Sequence, residues 1–406
     1  MKSKNTLIAV GILVSCWVFI AWKPNWGFFA HKRINRLAVF TLVPDMMPLF
    51  KTNIEFITAH AVDADKRRYA VSDEAIRHYI DLDLWPRVPQ DYLDALILYG
   101  DLVVESPGGN LQSIFPEERI VRDQKKQWIR IGADSGKRVD WHAFRRFLKE
   151  ELKVDQRGQD LPALTTDSFN HYFGQTLLAG GQSLFWIDTF SRHGILPYHI
   201  QAMYQRLVNA FKTGEAPVIL RLATDLGHYV ADAHVPLHTT SNYNGQQTGQ
   251  TGLHAFWESR IPELFADESY DYLVGKARYI RDVGKFSWDM IHQSHQLVDS
   301  VLGIEKRLSR TFPPDEQYCF DQRAGLTVRT QCPAYAGAYQ SAMKGMVENR
   351  MRDAILALGS LWYSAWVDAG QPVLSGRTDP VSDIHPVDST LEKAYRDKKI
   401  LGRPED

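Results

Sequence analysis

The sequence predicts an all-α fold built as a single large helical domain, and three observations predict it. Apolar residues recur at helical spacing over residues 172–191, 199–211, 218–233 and, most clearly, 339–367. No strand-like alternation of useful length interrupts them, and no internal repeat is present. At 406 residues and 44% hydrophobic content, the chain is long enough to bury a substantial core as one large domain or two smaller ones.

The N-terminus carries Lys2 and Lys4, an uncharged run over 6–22, then Lys23 and Pro24. This is the layout of a secretory signal peptide or a membrane anchor over residues 1–25. Leu13-Val14-Ser15-Cys16 also resembles a lipoprotein cleavage box, although the apolar run continues past Cys16. All three alternatives stay open, and each exports the chain to the periplasm, the exterior or the outer face of a membrane.

The main domain is expected over 26–373. Trp26-Gly-Phe-Phe-Ala-His31 leads into Ile34, Leu37, Ala38 and Thr41 at helical spacing, ended by Pro44. Residues 46–69 place Met46, Phe50, Ile54 and Ile57 at helical intervals and finish in a polar run from His60 to Arg68. Pro86, Pro89, Pro107, Gly108, Gly109 and Pro116 break the pattern, so a region over about 85–190 reads as a peripheral insertion with short helices. The 339–367 segment aligns Met343, Met346, Val347, Met351, Ile355, Leu358 and Trp362 on one broad face and ends at Gly370 and Pro372. Residues 374–406 are polar and charged, the composition of a weakly ordered tail.

A formal charge of −1 excludes a strongly electrostatic nucleic-acid binder, while leaving room for a local basic groove. Outside the leader the cysteines are Cys319 and Cys332, 13 apart in a polar stretch; in an oxidising compartment they can form a disulfide, and otherwise they are unpaired thiols.

The densest set of potential ligands runs from His228 to Glu258. His228 and Asp232 are four apart, as are His254 and Glu258, which on a helix stacks each pair on one face. Pro236 turns the chain between them and presents His238 separately. One such pair is usually a surface ion pair, but two of them flanking a third histidine make a metal site the better reading.

Taken with Trp26-Gly, His31, Asp63 and His78, these motifs resemble the superfamily that joins bacterial zinc-dependent phospholipases C to secreted single-strand-specific zinc nucleases. The resemblance covers Trp26 to Glu258, nine positions in order. It implies the family's all-α fold and three zinc ions: Asp63, His78, His228 and Asp232 around one, His238, His254 and Glu258 around a second, and Trp26 and His31 around a third, with Asp232 bridging to the first. His60 and Asp65 are near-register alternatives to Asp63. His234 reads as a supporting partner of the ligands.

The implied chemistry is hydrolysis of a phosphodiester by metal-activated water. Asp63 would orient or deprotonate that water, and Lys66 would stabilise the developing charge. The related nucleases carry arginine at that offset, so Arg67 or Arg68 is an alternative. The substrate signals are mixed. Trp26 to His31 spans five residues as in the nucleases, whereas Glu258 in the last ligand position matches the phospholipases. The expectation leans to a phospholipase C-like enzyme, a membrane-associated monomer acting on phospholipid headgroups. The alternatives are a nuclease acting on single-stranded nucleic acid and a non-catalytic exported metal-binding protein. Two departures stand out: the long gap from His78 to His228, and Lys23-Pro24-Asn25, which lacks the small residues that cleavage before Trp26 requires.

Overall fold

The computed structural model describes residues 28–374 apart from 107, 124–125, 133–135 and 324–325. The leader, Trp26 and residues 375–406 therefore lie outside the described residues, together with what was expected of them. The fold is mixed rather than all-α. It is 56% helical and 11% strand, with antiparallel sheets of four, three and two strands among the described residues.

The helical body is formed by Phe28–Ala38, Leu196–Thr213, Ala216–Asp232, Val283–His295 and Met346–Asp368. Met346–Asp368 packs against the first three of these, burying Ala354, Leu358, Leu361, Trp362 and Ala365. Each large side chain so buried contributes about 1.5–3 kcal/mol. The Trp362 indole also donates to the Ala223 carbonyl at 2.9 Å, so its one polar atom is satisfied. Two glycines set how closely Phe28–Ala38 can approach. A methyl group at Gly359 would run into Thr41, and one at Gly227 into the Asn35 amide.

Helical periodicity overreached in two places. Residues 339–367 are not one helix: Pro333–Ala342 and Met346–Asp368 are separated by Lys344 and Gly345, both left-handed, with φ of 51° and 78°. Residues 172–191 contain the end of the helix Thr166–Phe173, stopped by left-handed Gly174, and then a strand.

That strand belongs to the region expected to hold only short helices. The seven strands here are β1 (Asp101–Glu105), β2 (Leu111–Ser113), β3 (Ile120–Asp123), β4 (Lys126–Arg130), β5 (Arg138–Asp140), β6 (Leu161–Thr165) and β7 (Ser183–Ile187). They pair antiparallel in the orders β2-β1-β7-β6 and β3-β4-β5. Each has three to five residues, too few for period-two alternation to stand out, although Leu102-Val103-Val104 and Leu184-Phe185-Trp186-Ile187 have the β-branched and aromatic composition of strands. Leu102, Ile129, Leu184 and Trp186 are buried, and β4 and β5 pack against the helix Trp141–Glu150, which Asp140 caps through the backbone N–H groups of His142 and Ala143.

The chain leaves this module where it braces the body. The backbone N–H groups of Ile195 and Leu196 donate to the carbonyls of Ile76 and Tyr79 at 2.8 and 3.1 Å, and Asp81 N–H donates to His193 at 2.8 Å. These bonds clamp the segment carrying His78. The remaining strands, β8 (Tyr318–Arg323) and β9 (Leu326–Gln331), form a hairpin closed by a disulfide between Cys319 and Cys332.

Candidate metal centre

Six segments of the chain converge on one buried cluster. The helix Ala216–Asp232 presents His228 and Asp232 on one face, one turn apart. Gly227 lets Phe28–Ala38 lie close enough for His31 to stack on His228, ring centroids 4.1 Å apart. Beyond Asp232 the chain is held by Ser294, whose hydroxyl donates to Ala233 O at 2.6 Å, and by Arg350, whose Nε donates to His234 O at 3.2 Å. The turn Pro236–Thr239 then aims His238 inward. His254 and Glu258 follow, the latter within a π-helical turn, Phe256–Arg260. Such turns recur at functional sites.

The first group is formed by His78 Nδ1, His228 Nε2 and Asp232 Oδ2, and Asp65 Oδ1 stands beside it in a further candidate group with His228 and His31. His78 Nδ1 lies 3.0 Å from Asp232 Oδ2, 3.1 Å from His228 Nε2 and 3.9 Å from Asp65 Oδ1. His228 Nε2 lies 3.4 Å from Asp232 Oδ2 and 3.5 Å from Asp65 Oδ1. A tetrahedron with metal–nitrogen bonds of about 2.0–2.1 Å has edges of about 3.3–3.4 Å. The donors are therefore spaced as ligands of one ion.

In the second group, Glu258 Oε2 lies 2.7 Å from His254 Nε2 and 3.4 Å from His238 Nε2. In the third, His31 Nε2 lies 3.1 Å from Glu258 Oε1 and 3.5 Å from Asp232 Oδ1. The far ring nitrogens fix the orientation. His228 Nδ1 donates to Ala61 O at 2.9 Å and His254 Nδ1 to Tyr243 O at 3.1 Å, so each Nε2 is directed into the cluster.

The electrostatics suit a cation. Burial opposes ionisation of Asp232, but the charges of His228 and His238 hold its pKa below the ordinary value. Burial likewise opposes ionisation of Glu258, and hydrogen bonds from His238, His254 and His31 hold it well below. Asp65 behaves in the same way beside His228. Burial disfavours the charged form of His228, yet Asp232 and Asp65 push its pKa up to about 10. A field that favours a proton on a buried imidazole favours a metal cation in the same place. These residues can hold metal ions.

The structure brings together His31, His78, His228, Asp232, His238, His254 and Glu258. It does not bring in Asp63. That carboxylate pairs with Lys66 Nζ at 3.1 Å and His60 Nδ1 at 2.6 Å, and although burial opposes it, the His60 hydrogen bond and the Lys66 charge keep its pKa low. Asp65, two residues on and so on the other face of the short helix Asp63–Arg67, lies instead in a candidate group with His31 and His228. His234 is outside the groups, with Nδ1 donating to Val230 O at 2.7 Å.

One residue was missed altogether. Glu74 is buried beneath His78, with Oε1 3.7 Å from His78 Nε2 and also accepting from Tyr229 OH. Its Oε2 accepts from Arg77 at 2.7 Å, and Arg67 stands 3.4 Å away. Its spacing of four from His78 was the available signal.

Compared with known proteins, the chain matches no family model and no curated protein.

Proposed function

We propose that the chain is a zinc-dependent phosphodiesterase of the phospholipase C type. The observation that carries the reading is the convergence of eight buried or largely buried ligands, five imidazoles and three carboxylates, at ligand-to-ligand distances suited to a shared cluster. Oxygen and imidazole donors without thiolate suit zinc, and manganese also fits them. When bound, zinc supplies a water of lowered pKa and neutralises charge on a phosphate. The protein holds the ions through the three groups, the third completed by Trp26 in this reading. It also excludes bulk water from them. Lys66, held by Asp63 one helical step from Asp65, offers its ammonium to the phosphate oxygens. Asp63 thereby acts as the residue that positions Lys66.

The lipid reading is favoured by Glu258, the phospholipase-like ligand, which stands inside the cluster. The Cys319–Cys332 disulfide supports export to an oxidising compartment, where lipid headgroups are met. Zinc-loaded protein should release phosphocholine from phosphatidylcholine vesicles and leave single-stranded DNA and RNA intact. Cleavage of the nucleic acids alone would replace the phospholipase reading with the nuclease one. Turnover of none of the three would sink both.

A further inference from the structure

We infer that Glu258 is a bridging carboxylate that ties the second and third ion sites into one unit. The inference rests on the metal-dependent reading above. Glu258 divides its oxygens: Oε2 faces His254 and His238 at 2.7 and 3.4 Å, while Oε1 faces His31 at 3.1 Å. Asp232 divides its own in the same manner, with Oδ2 toward His78 and His228 at 3.0 and 3.4 Å and Oδ1 toward His31 at 3.5 Å. His31 therefore stands between two carboxylates, each shared with a different neighbouring group. The nearest imidazole lies 2.7 Å from Oε2 and 3.1 Å from Oε1, so neither oxygen of Glu258 is a bystander.

The surroundings explain why this glutamate reaches both ways. Its π-helical turn is anchored at both ends. On the N-terminal side, Asn244 Oδ1 accepts the backbone N–H groups of Gly252 and His254 at 2.9 and 3.3 Å. On the C-terminal side, buried Arg260 donates from Nε to Gln331 O at 3.1 Å, on the disulfide-closed hairpin. Held in this way, Glu258 lies on the wall between Phe28–Ala38 and the His238 turn. A carboxylate that serves one ion is removed at the cost of that ion; one that serves two costs both.

The test counts zinc per full-length chain by mass spectrometry after loading and desalting. Wild-type protein should hold three ions, His254→Ala two and Glu258→Gln one. An equal loss in the two variants, from a wild type that holds three, overturns the bridge and leaves the proposed function standing. A wild type that binds no metal overturns both. A second measurement needs no variant: in cobalt-loaded wild-type protein, all three spins should be magnetically coupled, whereas one isolated cobalt beside a coupled pair overturns the bridge even if Glu258→Gln fails to fold.

Discussion

The helical body is more completely buried than the sheet module at 101–187, whose strand β2 is exposed throughout, and the two differ in what they do and in how they announce themselves. Body helices such as Leu196–Thr213 and Met346–Asp368 run for 18 and 23 residues, long enough for an apolar face to repeat over several turns. The module's strands run for three to five and alternate once or twice. Every candidate ligand among the described residues lies outside the module, which braces the His78 segment through its exit at 193–196. Local pattern is thus legible in proportion to element length, and the candidate ligands divide between long helices, which carry His31, His228 and Asp232, and short helices and turns, which carry the rest.

The contrast can be broken most severely at Asp232. Asp232→Ala should lose the first and third ions and reduce phosphodiester hydrolysis to background, and retention of all the zinc would refute the shared-carboxylate geometry. Next come the two aspartates of one short helix. Asp65→Asn should lose the first ion, whereas Asp63→Asn should keep every ion and lower turnover through Lys66; metal counts in the pair decide it, and the reverse result would restore Asp63 as the ligand. Glu74→Gln removes the charge beneath His78, and the first ion should bind roughly 10–100-fold more weakly by chelator competition. Gly227→Ala forces a methyl group against Asn35, and overpacking of this kind costs about 1–3 kcal/mol, measurable as a lowered urea midpoint together with a disturbed His31. The smallest effect belongs to the module: Ile129→Val, fully buried on β4, should cost about 0.5–1.5 kcal/mol and leave zinc content unchanged. A loss of zinc there would show the two regions to be more tightly coupled than their contacts imply.

Much of the cluster was legible. The pairs His228 with Asp232 and His254 with Glu258 follow from helical spacing, and Pro236 foretells the turn that presents His238. The 339–367 pattern misled because Lys344 carries no sequence sign of its left-handed backbone, so the periodicity ran across a real break. The module's sheets were missed because none of their strands is long enough to show its period.

By itself, then, the sequence determined the candidate ligand types, the long helices and the pairs that share a helical face, because these depend on residues within a turn or two of each other. Only the tertiary structure placed Asp65 rather than Asp63 beside His228, set Glu74 beneath His78 and divided the oxygens of Asp232 and Glu258 between different imidazoles. Those choices depend on which face of a short helix meets Ala216–Asp232, and on glycines that let Phe28–Ala38 approach. That information lies in the packing of distant segments, which no local period records.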